Sequence, residues 1–182
     1  MIKYLLILFV GALFSNQVKL PFNNNSVVIY KGSHPAHNWE GVNSNIKGGI
    51  ICEKEECIIQ VIVPLESFDS GSSGRDSNML FSTESHKYPY VKYYSDSFLM
   101  RSIKKQGSIE LSGYMEFHGI TERITTQINI NYQDSILLGK TSFSISLDDY
   151  EVERPQLLFV PISDQINLEC SLYCDNIFSK LK

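Results

Sequence analysis

Apolar and polar residues alternate one for one along most of this chain, and no other feature of the sequence restricts its fold so tightly. A period of two puts successive side chains on opposite faces of an extended strand, so each run has one face for a core and one for water. Ile59, Val61, Val63 and Leu65 alternate in this way, as do Ile109, Leu111, Met115 and Phe117 against Ser108, Glu110, Ser112 and Glu116. The period returns at Ile124, Ile128 and Ile130, at Phe143, Ile145 and Leu147, and at Ile166, Leu168 and Leu172. With residues 27–32, 39–46 and 91–95 the total is about eight strands. No long helical stripe accompanies them, which predicts an all-β sandwich or barrel; alternation does not choose between the two.

Two stretches interrupt the pattern. Residues 67–88 open with a Gly/Ser-rich turn and continue into a segment expected to form a short helix that Pro89 ends. Gly71, Gly74 and the serines beside them make residues 67–75 conformationally permissive, while Phe68, Met79, Leu80 and Phe81 supply apolar surface to cover a pocket mouth. A gate is expected there. Residues 148–161 contain DDYEVERP and are expected to hold another short turn. Neither stretch reads as a linker between domains.

At the amino terminus, Lys3 precedes an 11-residue apolar run, residues 4–14, followed by Ser15 and Asn16. That order is the pattern of a secretory leader, and the run is well short of the roughly 20 residues a membrane span needs. Cleavage is expected between Ser15 and Val18, leaving residues 18–182 as one exported domain, periplasmic or secreted. No cysteine follows the run, so a lipoprotein anchor is not expected. Loss of Lys3 takes the formal charge from −4 to −5, with no basic cluster, and nucleic acid is not an expected partner. Cys52 and Cys57 bracket the polar stretch EKEE between strand-like flanks, Ile50 and Ile51 before it and Ile58 and Ile59 after it, and are expected to form a disulfide across a hairpin. Cys170 and Cys174 on one strand would stand about 13 Å apart, beyond the roughly 7 Å limit for a bond, unless the chain turns between them. Pairing of the hairpin cysteines with this tail is the alternative.

Three segments, in order, resemble the YceI-like, polyisoprenoid-binding family. Residues 63–95 (VPLESFDSGSSGRDSNMLFSTESHKYPYVKYYS) carry Ser67, Phe68, Asp69, Gly71, Arg75, Asp76, Met79, Tyr88 and Pro89 in the places of its central signature. GYMEFHGITERITTQI, with Gly113, Met115, His118, Gly119 and Thr121, is similar to its Gly-x-Leu-x-x-x-Gly-Val-Thr strand pair, and SFSISLDDYEV precedes a closing strand. Asn78 stands where the family often has a histidine, and the cysteines are outside the pattern. The resemblance implies an eight-stranded antiparallel lipocalin-like β-barrel with a short helix in the 70–88 connection. A tunnel-like pocket holding a polyisoprenoid, isoprenoid quinone or similar long-chain lipid is implied with it.

Such a lining should be aliphatic and aromatic, since each methylene moved out of water contributes about 0.8 kcal/mol. The candidates are Val61, Val63, Val91, Tyr93, Leu111, Met115, Phe117, Ile128, Ile130, Phe143, Ile145 and Leu168. Each would equally serve a filled core. Arg75 and Asp76 are candidates for a headgroup contact or for fixing their own turn, and His118 for a pocket mouth or a turn. Pro35 is expected to keep His34 and His37 from sharing a metal or heme, and no cofactor is expected. No G-x-S-x-G elbow, H-E-x-x-H or phosphate-binding fingerprint is present. Asp148, Asp149, Glu151 and Glu153 read as a solvated acidic turn, so the protein is expected not to be an enzyme. A packed interaction module, and after it a hydrolase of lipid-like substrates, are the alternatives. A carrier would touch a membrane transiently to exchange lipid, as monomer or homodimer.

Overall fold

The computed structural model describes residues 17–175. The leader expected over residues 1–17 lies outside them except for Gln17, which opens the first strand. In chain order the strands are β1 (Gln17–Pro21), β2 (Val27–His34), β3 (His37–Asn43), β4 (Lys47–Glu53) and β5 (Glu56–Pro64), followed by one helix, α1 (Ser73–Ser82). Then come β6 (Tyr90–Ser95), β7 (Phe98–Leu99), β8 (Gly107–Phe117), β9 (Ile120–Gln133), β10 (Ile136–Ser146), β11 (Gln156–Leu157), β12 (Val160–Pro161) and β13 (Gln165–Cys174). The main sheet runs β1-β4-β5-β6-β8-β9-β10-β13-β2-β3, antiparallel throughout, with β7 on β5, and β11 and β12 form a separate hairpin. It curls into a half-barrel around the core.

Ten strands follow one another along this sheet, against about eight expected. The additions are β1 and β4. β1 is a short edge strand with Lys19 and Pro21, residues that blunt an edge rather than announce a strand. β4 begins Lys-Gly-Gly and buries Gly49 and Ile50 in succession, so it reads only as the flank of its hairpin. Elsewhere alternation translates directly into burial. Cys57, Ile59, Val61 and Val63 of β5 and Leu111, Gly113, Met115 and Phe117 of β8 face the interior, and each fully buried aliphatic side chain contributes about 1.5–3 kcal/mol.

The turns show why the register holds. β8 and β9 are joined by His118 and Gly119 at φ 52° and 80°, the positive values that a two-residue type I′ hairpin turn demands. β4 and β5 are joined by Lys54 and Glu55, with Glu53 opposite Glu56. The EKEE stretch is thus a two-residue loop flanked by one paired position on each side. Cys52 directly faces Cys57 with α-carbons 4.0 Å apart, the close spacing of a non-hydrogen-bonded pair, and the two are joined by a disulfide. Cys170 and Cys174 stay on one extended strand, opposite Thr141 and Leu137. Cys170 has no disulfide partner, burial pushes its thiol up to about 12, and Cys174 Sγ donates to Leu20 O at 3.4 Å.

The expected helix is α1, although Pro89 does not end it. Thr83 does, its N–H donating to Met79 O at 3.0 Å and its hydroxyl to the same carbonyl at 2.8 Å. Residues 148–161 hold the expected turn, a 3-10 turn at Asp148–Tyr150, and also the β11–β12 hairpin, which the sequence pattern does not indicate.

Peptide mapping without reduction should recover Cys52 linked to Cys57. Replacing both by alanine should cost about 2 kcal/mol, the modest value of a short closed loop, and lower Tm by roughly 4–8 °C in a thermal melt.

Candidate functional site

The curled sheet is packed at one end and open at the other. Between the open end, α1 and residues 152–162 lies a cavity of about 450 Å³, within the ordinary range for small-molecule sites. Val28, Tyr30 and His34 of β2 and Trp39 of β3 form one wall, Val63, Leu65 and Phe68 a second, and Met115, Phe117, Ile145 and Ile166 a third. Met79 of α1 and Thr83 just past the helix cover it. Arg75 is the one charged side chain on the wall among the described residues.

Glycines make the aromatic wall possible. In the β2–β3 register Tyr30 faces Gly41 and Trp39 faces Gly32. A Cβ at Gly41 would overlap the Tyr30 ring, and one at Gly32 would stand 2.6 Å from Trp39 Cε2. Each ring lies over the bare backbone opposite, a cross-strand pairing of aromatic and glycine. Phe68 meets Tyr30 edge-on, ring centroids 5.2 Å apart.

Two polar atoms on this apolar wall have no hydrogen-bond partner among the described residues. His34 Nδ1 accepts the backbone N–H of Ala36 at 3.1 Å, so in the neutral ring the proton sits on Nε2, which is buried and meets no partner. The Tyr30 hydroxyl is likewise buried without a hydrogen bond. The Trp39 indole N–H beside it has only a donor to give, so it can meet the hydroxyl oxygen but not its proton. Burial pushes the Tyr30 pKa up, Asp76 adds to the rise, and Arg75 and Trp39 oppose it, so the hydroxyl is neutral at physiological pH. Each unpaired buried donor costs about 1–3 kcal/mol. The wall therefore presents two donors suited to an oxygen acceptor.

Of the twelve candidate lining residues, Val63, Val91, Met115, Phe117, Ile145 and Leu168 stand on the cavity wall. Val61, Leu111 and Ile130 are buried in the filled part of the core, and Tyr93, Ile128 and Phe143 pack against it. Burial pushes the Tyr93 hydroxyl up to about 12. Alternation tells which face a residue occupies but not how far along the barrel axis it lies. Tyr30, Trp39, Leu147, Val152, Ile162 and Ile166 also line the cavity and were not among the candidates. For Tyr30 and Trp39 the available signal was an aromatic residue facing a glycine across a tight hairpin.

Arg75 and Asp76 both fix the turn before α1. Arg75 Nη1 donates to Ser70 O at 3.0 Å, and Asp76 Oδ1 accepts the Ser70 N–H at 3.1 Å. With Asp69 Oδ1 accepting the Gly71 N–H at 2.7 Å, residues 69–76 are pinned rather than permissive, and Gly74 belongs to α1. His118 is not on the wall; its Nδ1 meets Tyr150 O at 2.9 Å and its Nε2 meets Glu84 Oε2 at 3.1 Å. The β2–β3 turn sets His34 opposite His37, rings 6.1 Å apart. Among the described residues no third His, Cys, Asp or Glu joins them. Asp148 pairs with Arg154 at 3.0 Å, and Asp149, Glu151 and Glu153 are exposed.

The match to a YceI-like domain spans residues 21–174. Among solved structures, a polyisoprenoid binding domain from Saccharophagus degradans superimposes with a TM-score of 0.75 at 16% identity, covering 87% of this chain and 99% of its own. BcnA of Burkholderia cenocepacia gives 0.69 at 14% identity, over 82% and 96%. The Campylobacter jejuni YCEI protein gives 0.52 at 16%, over 96% and 90%. No curated protein sequence matches the chain.

Gly41→Ala should displace the Tyr30 ring and cost about 1–3 kcal/mol in urea unfolding. Gly74→Ala, where a Cβ meets nothing within 4 Å, should instead raise stability by about 0.5–1 kcal/mol.

Proposed function

The chain belongs to the YceI-like domain family, and from that membership we propose that it is an exported, non-enzymatic carrier holding the apolar chain of a polyisoprenoid, isoprenoid quinone or similar amphiphile. The observation that carries this reading is the cavity itself, about 450 Å³ of almost wholly apolar wall with one charged side chain. Such a wall recognises length and shape, because each methylene contributes about 0.8 kcal/mol and no headgroup charge is needed. The name of the Saccharophagus degradans neighbour, a polyisoprenoid binding domain, supports the same class of ligand.

In this reading Val63, Val91, Met115, Phe117, Ile145 and Leu168 contact the chain, and Val61, Tyr93, Leu111, Ile128, Ile130 and Phe143 pack the end that stops it. Tyr30 and His34 donate to an oxygen at the ligand's polar end, with Arg75 beside them. Asp76 and His118 position the cover. No helix among the described residues is long and apolar enough to cross a membrane. The leader pattern supports a location in the periplasm or outside the cell, where the Cys52–Cys57 disulfide would persist.

Organic extraction of protein from its native compartment, followed by mass spectrometry, should release near-stoichiometric long-chain lipid. Clean extracts, with no uptake of added isoprenoid, would favour a packed interaction module. Across isoprenoids of one headgroup, affinity should rise with length until the cavity is filled. Ile145→Trp, which fills the space, should lower it at least tenfold. Affinity that instead tracked headgroup charge and collapsed in salt would contradict the apolar mechanism.

A further inference from the structure

The β11–β12 hairpin turns on two bulky apolar residues. Its turn is Leu158 and Phe159, at φ 53° and 66°. Those are positions where a hairpin turn takes Asn-Gly or Asp-Gly, and where a bulky side chain is strained. The β8–β9 turn makes the same bend with His118 and Gly119. Leu158 and Phe159 are 82% and 95% exposed, so among the described residues nothing covers their side chains. Leu157 and Val160 beneath them are also exposed, and residues 155–163 contain no charged side chain. The base of the hairpin is anchored. Ser163 N–H donates to Ser33 O at 2.8 Å, and Arg154 Nη1 donates to Ile162 O at 3.3 Å.

This tip rims the cavity mouth. The exposed residues that also line the cavity are His37 on β3, Gly74 and Asn78 on α1 and Gln156 and Leu157 on β11, so the opening lies between the β2–β3 turn, the helix and the hairpin. One turn along α1 from Asn78, on the neighbouring surface, stands Phe81, 86% exposed. Large apolar side chains thus project from both sides of an apolar opening.

We propose that Leu158, Phe159 and Phe81 form a membrane-docking rim that enters the interfacial layer of a bilayer and sets the cavity mouth against it. The proposal rests on the carrier reading above and adds the surface from which lipid is loaded. A bilayer is the occupant that fits, because the apolar feature is convex and unsupported, continuous with the cavity wall through Leu157, and free of the charges that pair with a protein rim. Strain persists at such tips where function holds it.

The test uses the exported chain and phosphatidylcholine vesicles in a co-sedimentation assay. Leu158→Asn with Phe159→Gly restores the favoured turn, so the double variant should be more stable than the parent, yet bind vesicles on the order of a hundredfold more weakly. Phe81→Gln, on an exposed helix face, should lower binding about tenfold. Neither change touches the cavity wall, so uptake of detergent-solubilised polyprenol should be unchanged while transfer from vesicles slows. Undiminished vesicle binding by both variants would overturn the proposal. So would a parent dimer that the double variant dissociates with no vesicle binding by either. A parent that binds vesicles but takes up no polyprenol from detergent would sink the carrier reading and leave the docking rim standing.

Discussion

Two reciprocal backbone hydrogen bonds between Val42 and Asp69, each 2.9 Å, hold the seam on which the rest of the structure depends. β3 ends the sheet, and an unpaired strand edge is a liability unless something covers it. Here the chain leaving β5 returns to it. Asn43, fully buried beside the seam, donates from Nδ2 to Pro64 O at 2.8 Å and accepts the Asn45 N–H at Oδ1, so the end of β3 is tied to the end of β5. At the other end of the sheet Phe22 bridges Cys174, and Asn23 N–H donates to Tyr173 O at 2.8 Å. These ties keep the half-barrel curled.

The seam also places the cavity cover. Phe68, next to Asp69, is held against Tyr30, and the hydrogen bonds of residues 69–76 start α1 directly over the opening. A Ser-Phe-Asp stretch that reads in sequence as a motif is, in physical terms, a strap with three tasks. Ser67 accepts from Asn45, Phe68 walls the cavity, and Asp69 closes the edge.

The cavity wall and the buried donors of Tyr30 and His34 are what a bound amphiphile would meet. A ligand that packs against that wall and accepts those protons would stabilise the fold by mass action. Leu158 and Phe159, the bulky apolar residues at positive φ among those described, stand beside the same opening, while Val61, Leu111 and Ile130 fill the core of the closed end.

The sequence by itself determined about eight of the strands, their inward faces, the short helix and the Cys52–Cys57 hairpin, because period-two alternation and a loop between facing cysteines are local properties of an extended backbone. The family was legible in the motifs of residues 63–95 and 113–128. Tertiary structure alone decided the rest. β1 and β4 became strands through their neighbours, as Gly48 and Gly49 let backbones approach too closely for side chains. Alternation could not separate Val63, on the cavity wall, from Val61 two residues earlier on the same face, because position along the barrel axis depends on where the curl closes and where side chains run out. Nor could it foresee Tyr30 and Trp39 over the glycines of the facing strand, or His34 brought opposite His37. Those are distances between strands, and a one-dimensional period carries no information about them.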